Sequence, residues 1–440
     1  MRTPVISSVF VIVAFWVLFT FFYFMLLQTP GGKTPDQLSL NERLSELEKE
    51  VFFQTNISKT LKKQFIQVKK VLCFTDIEKN NVKYQDENED NKNEAVISVL
   101  VISCNRIAIK RCLDLLIKYR PSKEQFPIVV SQDCNHQPTS DIIKSYGNEV
   151  THIKHPDQSD IALSVKEKKF KGYYKISRHY KWALHQMFTK FNYESIIIVE
   201  DDLEISPDFY QYFLQSYSIL QSDPSLWCVS AWNDHGKDNL INKKEPELLY
   251  RTDFFPGLGW MITKGLWEEL EPKWPKSFWD DWMRIPEQRK DRACIRPEIS
   301  RTRTFGKVGV SKGLFYEKHL KFMKLNEKKV PFENMDLSYL LKVCTLDNYD
   351  EKFVKNVYDS KSVSIQELKN NRLVFDGSVR LTYRTKEQYK KAAKTFGLMD
   401  DFKSGVPRAG YRGIVSFMHN DVRVYLAPEA NWHGYNTAWS

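Results

Sequence analysis

Residues 196–206 read IIIVEDDLEIS, and this stretch decides the fold. The continuous apolar run from Ile196 to Val199 is typical of a strand buried on both faces of a mostly parallel sheet. The run ends in three adjacent carboxylates, Glu200, Asp201 and Asp202. In open sheets of this kind, ligands bind beyond the carboxyl ends of the strands. The triplet is therefore predicted to lie at a ligand-binding edge.

Two earlier apolar runs have the same design. Residues 95–102 form a β-branched run that leads into Arg106, and residues 126–130 form a second that leads into Asp133. Between them, apolar residues share one face of a predicted helix from Ile109 to Ile117. Short strands alternating with amphipathic helices predict an α/β fold with helices on both faces of the sheet. Arg106 and Asp133 should lie at the same edge as the triplet.

Two further segments predict elements beyond the triplet. Ser206-Pro207-Asp208 predicts the start of a helix through Leu220, with Ser206 as its N-cap. Beyond about residue 343 the pattern becomes strand and turn with one helix near Lys386 to Thr395, which predicts a smaller α+β domain.

The acidic triplet is a candidate metal site. Adjacent carboxylates repel one another, and a bound cation would offset that cost. Mn²⁺ and Mg²⁺ prefer oxygen ligands, and with a diphosphate they often take only one or two from protein. The alternative is a solvated acidic loop that opens the following helix.

A second acidic pair, Asp280-Asp281, lies between Trp279 and Trp282. One of these carboxylates could be a general base within an aromatic, sugar-stacking surface. Alternatively, the two acids occupy the first turn of a helix, which the spacing supports equally well.

The segment Gly309-Val310-Ser311-Lys312-Gly313 matches G-x-S-x-G. A hydrolase nucleophile elbow needs a preceding apolar strand, but residues 301–307 are polar, so the match is coincidental. The segment fits a glycine loop that contacts phosphate, or a surface loop. His179 begins a predicted helix, where packing or surface histidines are common.

Composition restricts the class of protein. The chain has 440 residues and a net charge of +10, compatible with nucleic acid, a membrane surface or an anionic small substrate. No nucleic-acid-binding motif occurs in the sequence, so nucleic acid is disfavoured. None of the seven cysteines forms a CxxC pair, which argues against structural zinc. In an oxidising compartment some of these cysteines could form disulfides. Because their number is odd, at least one would remain free or bond to another chain.

The N-terminal region predicts a membrane anchor. Residues 5–27 are uncharged and long enough to cross a bilayer, and they lack the small-residue end of a cleaved signal peptide. Residues 28–94 form a polar stem with apolar residues spaced by three and four. That spacing is typical of a helical stalk, either a short coiled coil that self-associates or one amphipathic helix. A glycosylation sequon lies at Asn56.

Four motifs in order carry a resemblance to a known family: IIIVEDDLEIS (196–206), FFPGLGW (254–260), FWDDWMR (278–284) and CIRPEISRTRTFG (294–306). Together they resemble the N-acetylglucosaminyltransferase I family, from about residue 95 to the C-terminus. The resemblance implies a GT-A type nucleotide-sugar-binding fold. The implied layout is a cytosolic tail (1–4), a transmembrane signal anchor (5–27), a stem (28–94), a donor and metal domain (95–306), a mobile loop and linker (307–342) and a C-terminal domain (343–440).

The resemblance also implies the chemistry. The family transfers N-acetylglucosamine from UDP-N-acetylglucosamine, with Mn²⁺ and inversion, to the 2-hydroxyl of the α-1,3-linked mannose of a high-mannose N-glycan on glycoproteins. Such enzymes are type II Golgi membrane proteins with a lumenal catalytic domain.

By position in the motifs, Asp202 is implied as the metal ligand and Asp280 as the catalytic base. Glu200 and Asp201 are implied to contact the donor ribose and sugar. The remaining implied residues are Arg106, Asp133 and His179 for uridine and diphosphate, Gly309 and Ser311 in a loop over the donor, and the disulfides Cys104–Cys134 and Cys228–Cys294, with Cys112 free.

Three alternatives stay open. A sister enzyme acting on O-linked mannose would carry a lectin-like stem domain, for which residues 28–94 are too few and too polar. An inert scaffold or lectin of the same fold would not need both acidic sites. A serine hydrolase would depend on Ser311 and not on a metal.

Overall fold

The computed structural model describes residues 43–55, 57, 95–307, 309–310, 313–342, 348–370 and 374–440. The chain divides into two compact units, Met1–Thr75 and Asp76–Ser440. In the first unit, residues 43–55 are helical, and Leu44, Leu47 and Val51 are each more than half exposed. The apolar stripe of the predicted stalk is therefore present on this helix. Self-association through the stem stays a prediction.

The prediction of a single-pass Golgi membrane protein requires correction. None of the helices in the described residues is long and apolar enough to cross a membrane. The longest, Lys171–His185, has 15 residues, which span about 22 Å against a bilayer core of about 30 Å. The stretch 5–27, on which the prediction rested, lies outside the described residues, as does Asn56 of the sequon.

The second unit is built on an eight-stranded sheet with the order β3-β2-β1-β4-β8-β6-β9-β7. Its strands are β1 (Ser98–Ser103), β2 (Ile128–Gln132), β3 (Thr151–Lys154), β4 (Ser195–Glu200), β6 (Leu226–Ser230), β7 (Leu249–Thr252), β8 (Trp260–Thr263) and β9 (Ala293–Pro297). The pairs from β3 to β4 are parallel, as is β6 with β9. Strand β8 runs antiparallel between β4 and β6, and β7 is antiparallel to β9.

Alternate residues of the central strands pack into two separate cores. Val99, Val101, Ile197 and Val199 belong to one, and Leu100, Ile102, Ile196 and Ile198 belong to the other. Continuous β-branched runs suit such strands because both of their faces are covered.

Helices cover these two faces. Those of the second unit are α1 (Ile109–Tyr119), α2 (Gln137–Ser145), α3 (Lys171–His185), α4 (Phe209–Ser222), α5 (Lys264–Leu270), α6 (Trp279–Met283), α7 (Pro286–Arg289), α8 (Leu314–Lys318), α9 (Tyr349–Asp359), α10 (Ile365–Lys369) and α11 (Lys386–Phe396). A π-helical turn, Gln186–Lys190, extends α3. Buried residues of α1 and α4 join the first core, and those of α3 and α5 join the second.

A smaller four-stranded sheet, with the order β11-β12-β16-β15, lies in the C-terminal part of the chain. Its strands are β11 (Lys361–Ser362), β12 (Val379–Thr382), β15 (Val415–His419) and β16 (Val422–Ala427). Two strand pairs complete the fold: β5 (Leu203–Ile205) with β10 (Thr302–Thr304), and β13 (Phe402–Lys403) with β14 (Val406–Pro407). The boundaries of the predicted domains stay predictions.

Helix α4 starts differently from the sequence expectation. Its N-cap is Asp208, and Ser206 Oγ donates a hydrogen bond to Asp208 Oδ1 at 2.6 Å instead of capping the helix. The other carboxylate oxygen accepts from Arg301 and Asn326, each at 3.0 Å. A buried ion pair between distant segments has replaced the local cap.

A second buried ion pair fixes the far end of α4. Arg251 Nη1 lies 2.9 Å from Asp223 Oδ2, and both side chains are at most 1% exposed. The same carboxylate accepts from the backbone N–H groups of Ser225 and Lys342. Burial of the pair is therefore offset by a nearly complete hydrogen-bond shell.

We expect Asp223→Ala to lower the free energy of unfolding by about 3–5 kcal/mol, because it leaves the Arg251 guanidinium buried without its charge partner. Chemical denaturation would measure the loss. The matched control is Asp238→Ala, which breaks the Lys243–Asp238 pair, in which both side chains are more than half exposed, and should cost less than about 1 kcal/mol. Equal losses in the two variants would contradict the prediction.

Candidate active site

The acidic triplet lies at the carboxyl end of β4, where the chain turns into β5. The N–H of Asp201 donates to the Ile102 carbonyl of the neighbouring strand at 3.0 Å. The Asp201 carboxylate accepts from Ser103 Oγ and from Arg106 Nε, each at 2.9 Å. The end of β1 therefore holds the middle acid of the triplet.

Asp202 lies between Arg106 and Gly306. Arg106 Nη2 is 3.2 Å from Asp202 Oδ2, and the N–H of Phe305 donates to the Asp202 carbonyl at 2.9 Å. A Cβ atom on Gly306 would overlap the carboxylate of Asp202. Only a residue without a side chain leaves room for Asp202 in this position.

Crowding and burial disfavour negative charge on the triplet. Burial raises the pKa of Glu200 to about 8, and the charge of Asp202 adds to the effect, whereas the hydrogen bond from Tyr180 opposes it. Burial likewise raises the pKa of Asp202 to about 6, against the nearby Arg106. One guanidinium does not balance three carboxylates, so the site favours an added positive charge.

A layer of aromatic rings connects the triplet to the second acidic pair. Tyr180 donates to Glu200 Oε1 at 2.9 Å, and its ring stacks on Trp279 with centroids 4.4 Å apart. Trp279 also stacks on Trp260 and Trp274. Phe278, immediately before, has a left-handed φ of 49°, which is uncommon for a bulky residue. Asp280 is thus attached to a tightly packed ring layer.

Asp280 and Asp281 form the first turn of α6. Arg284 Nη1 lies 2.8 Å from Asp280 Oδ2 and 2.9 Å from Asp281 Oδ1. Lys403 Nζ is 2.9 Å from Asp281 Oδ2. Asp281 thus has two cationic partners, while the Asp280 side chain remains 43% exposed.

Glu200 and Asp280 line the same cavity, which has a volume of about 360 Å³. Its other walls come from α3, from the segment after β6, from the loop before β8 and from the C-terminal part of the chain, including Tyr173, Trp232, Asp234, Leu258, Met399 and Arg408. The two acidic sites that the sequence placed 80 residues apart therefore face one cleft.

Asp133 follows β2, and His179 lies in the middle of α3 rather than at a helix start, with its side chain against β2; neither residue lines this cavity. His179 Nε2 is 2.8 Å from Ser131 Oγ, and Asp133 accepts from Gln158 at 3.4 Å. Burial lowers the pKa of His179 to about 4, although the charge of Asp133 opposes the shift. The histidine is therefore neutral at physiological pH.

The glycine loop is described only in part. Gly309 is exposed, and the methyl groups of Val310 lie 2.9 Å from the position that a Cβ on Gly172, in the first turn of α3, would take. Ser311 lies outside the described residues. The segment before the loop contains only the three-residue strand β10, which is not part of the central sheet. The G-x-S-x-G match therefore lacks the strand that a nucleophile elbow requires.

Two disulfides brace the sheet. Cys104–Cys134 joins the segments that follow β1 and β2, with Cα atoms 5.2 Å apart. Cys228–Cys294 joins β6 to β9, with Cα atoms 4.6 Å apart. Among the described cysteines, Cys112 is free and buried, and burial raises its pKa well above the usual range. Cys73 and Cys344 lie outside the described residues.

Sequence reasoning missed three charged residues of the cleft, Asp234, Lys403 and Arg408. Asp234 Oδ1 pairs with Arg408 Nη1 at 2.9 Å across 174 residues of sequence. Lys403 likewise pairs with Asp281, from which it is 122 residues distant in sequence. No local motif marks these residues. Sequence reasoning also gave Tyr180 no role at the site, although its position beside His179 was an available signal.

Within the described residues, no cluster of three or more His, Cys, Asp or Glu side chains is arranged to hold a metal ion.

Comparison with known proteins gives a consistent result. A family model described as "GNT-I family" matches residues 6–439. An Arabidopsis thaliana protein named alpha-1,3-mannosyl-glycoprotein 2-beta-N-acetylglucosaminyltransferase is 38% identical over 334 residues, which cover 75% of this chain and 73% of the relative.

Solved structures give weaker matches. The mannosyltransferase PcManGT from Pyrobaculum calidifontis, in complex with GDP-Man and Mn²⁺, is 12% identical with a TM-score of 0.28, covering 46% of this chain and 56% of that chain. S. aureus TarS 1-349 in complex with UDP-GlcNAc is 13% identical with a TM-score of 0.27, covering 39% and 47%. These similarities span about half the length of each solved structure.

We expect Glu200→Gln to stabilise the protein at high pH in the presence of a chelator. Because the folded-state pKa of Glu200 is raised to about 8, the wild-type protein loses stability as pH rises from about 4.5 to 8. Glutamine keeps an acceptor for Tyr180 but carries no charge. The midpoint of thermal unfolding should match wild type near pH 4 and exceed it increasingly toward pH 8.5.

The matched control is Glu268→Gln, whose side chain is exposed on α5. Its difference from wild type should not change with pH. If the difference between Glu200→Gln and wild type stayed constant from pH 4 to 8.5, the folded-state pKa of Glu200 would not be raised and the prediction would be wrong.

Proposed function

The chain belongs to the GNT-I family, and on that premise we propose how its cleft transfers N-acetylglucosamine to the α-1,3-linked mannose of N-glycans. The observation that carries the proposal is that Glu200 and Asp280 line one cavity. One acidic site would serve the donor and its leaving group. The other would serve the incoming hydroxyl.

The donor is UDP-N-acetylglucosamine. Arg106, Asp133 and His179 follow or flank the ends of β1 and β2, where uridine and diphosphate would bind. Arg106 supplies guanidinium N–H groups for phosphate, and the neutral imidazole of His179 can hydrogen-bond without adding charge. Glu200 and Asp201 would contact the sugar and ribose. Gly309 and Ser311 would belong to a loop that covers the bound donor.

A divalent cation, Mn²⁺, fits the carboxylate of Asp202. The support is chemical. Carboxylate oxygens are hard ligands, the triplet carries negative charge, and a bound cation would lower the raised pKa values of Glu200 and Asp202. Asp202 would hold the ion as its direct protein ligand. When bound, the ion would supply charge stabilisation for the departing nucleoside diphosphate.

Asp280 is the proposed general base. Its Oδ2 accepts from Arg284, and the exposed part of the carboxylate faces the cavity that an acceptor would enter. The 2-hydroxyl of mannose would give its proton to Asp280 as its oxygen bonds to the anomeric carbon. The bond from that carbon to the UDP oxygen would break, and UDP would leave with the electron pair. A single displacement of this kind inverts the anomeric configuration.

We expect Asp280→Asn to lower kcat at least 1000-fold, because the amide cannot accept the proton. The assay would combine UDP-N-acetylglucosamine, a mannose-terminated N-glycan and Mn²⁺, with UDP release as readout. UDP binding, measured by calorimetry, should remain within about threefold of wild type.

The matched control is Asp291→Asn, a fully exposed acid close in sequence, which should keep normal turnover. Full activity in Asp280→Asn would reject its role as base. An absence of transfer by the wild-type protein with either Mn²⁺ or Mg²⁺ would reject the proposed reaction itself.

We expect Gly306→Ala to weaken Mn²⁺-dependent UDP binding at least tenfold, because the added Cβ would displace the carboxylate of Asp202. The control is Gly265→Ala, where a Cβ meets nothing within 4 Å. Calorimetric titration of each variant with UDP, with and without Mn²⁺, would measure the change. Equal metal-dependent affinities in the two variants would contradict the assignment of Asp202.

A further inference from the structure

A second cavity of about 230 Å³ lies in the C-terminal part of the chain, apart from the catalytic cleft. Its walls are aromatic and polar: the rings of Tyr383, Trp432, Tyr435 and Trp439, with Arg384 and Glu429 at one side. Tyr435 and Trp432 pack edge to face with centroids 5.0 Å apart. Within the residues that the structure describes, nothing assigned to the transfer reaction lines this cavity.

The polar groups of this cavity suit a neutral, hydroxyl-rich ligand. Arg384 Nε donates to Glu429 Oε1 at 2.7 Å, and both side chains are largely exposed, at 70% and 45%. The exposed amides of Asn431 and Asn436 add donors and acceptors at the rim. Because Arg384 and Glu429 neutralise each other, the cavity lining carries no net positive charge that would favour the phosphates of a second nucleotide.

Aromatic rings and a polar rim are the two features that a pyranose ring requires. A sugar presents apolar C–H groups on its faces and hydroxyl groups on its edges. Tyrosine and tryptophan offer a flat apolar surface together with a polar group. Ligand sites commonly combine apolar walls with a few polar groups that fix orientation.

The cavity is held in shape by contacts to the body of the protein. Tyr435 Oη donates to Asp253 Oδ2 at 2.5 Å and accepts from the N–H of Gly413 at 2.9 Å. The N–H of Gly405 donates to the Trp439 carbonyl at 2.9 Å, and the φ of Gly405 is 81°. A site built in advance loses less entropy when it binds a ligand.

The hairpin of β13 and β14 joins this cavity to the catalytic cleft. Lys403 lines the cleft and pairs with Asp281, while Gly405, two residues later, lines the second cavity. Two residues span at most about 7 Å. In addition, Arg289 of α7, which follows the helix of Asp280, lies over the Tyr435 ring at 5.3 Å. The two cavities are therefore neighbours.

We propose that the second cavity binds another saccharide residue of the branched acceptor glycan, distant from the mannose that reacts. The proposal rests on the proposed function, because it assumes that the acceptor is a branched N-glycan. Binding a second residue of one molecule raises the effective concentration of the reacting arm in the cleft. The expected signature is a lower KM for branched acceptors without a change in kcat.

The test compares two acceptors with three variants. For a branched mannose N-glycan, Trp432→Ala should raise KM about tenfold, which corresponds to about 1.4 kcal/mol of binding, and Asn431→Ala about threefold. Both should leave kcat, and all constants for an α-1,3-linked mannose disaccharide, unchanged. His433→Ala, an exposed residue of the same segment outside the cavity lining, should match wild type with both acceptors.

An unchanged KM for the branched glycan in both cavity variants would overturn the proposal, as would equal KM increases for the two acceptors. Asn431→Ala guards against misfolding, because its side chain is exposed. If the wild-type protein transfers to neither acceptor, the proposed function fails. The cavity is then judged by saturation-transfer NMR with a mannose oligosaccharide, where loss of signal in Trp432→Ala supports it and an unchanged signal rejects it.

Discussion

Mutual repulsion among three carboxylates at the end of one buried strand is the constraint on which the rest of the site depends. Arg106 contacts two of them, and burial raises the pKa of both Glu200 and Asp202. Folding tolerates this cost because the neighbouring strands hold the triplet in place through backbone and side-chain hydrogen bonds. An imbalance of charge that the protein alone does not remove is suited to a ligand that brings a cation.

The second acid is positioned by a different physical principle. Asp280 follows Phe278, whose φ is positive, and Trp279, whose ring stacks on three others. Dense aromatic packing tolerates little displacement. Charge therefore determines the arrangement of the triplet, whereas close packing determines the position of Asp280. Tyr180 connects the two sites, because it hydrogen-bonds Glu200 and stacks on Trp279.

Much of the central sheet could be predicted from the sequence because its signals are local. The apolar runs of β1, β2 and β4 and the polar residues that follow them are continuous in sequence, and strand geometry brings their ends to one edge. The antiparallel insertion of β8 between β4 and β6 has no comparable signal. Likewise, the expected cap at Ser206 was displaced by the ion pair of Asp208 with Arg301, a partner 93 residues away.

The contact of Lys403 with Asp281 has a consequence for how this architecture can be rearranged. Part of the cleft lining is supplied by residues near the end of the chain, including Lys403 and Arg408. A shortened protein that ended before β13 would keep the acidic triplet yet lose the enclosure around it. A chimera assembled from two relatives would likewise need to exchange α6 and the β13–β14 hairpin together, because Lys403 of the hairpin pairs with Asp281 of α6.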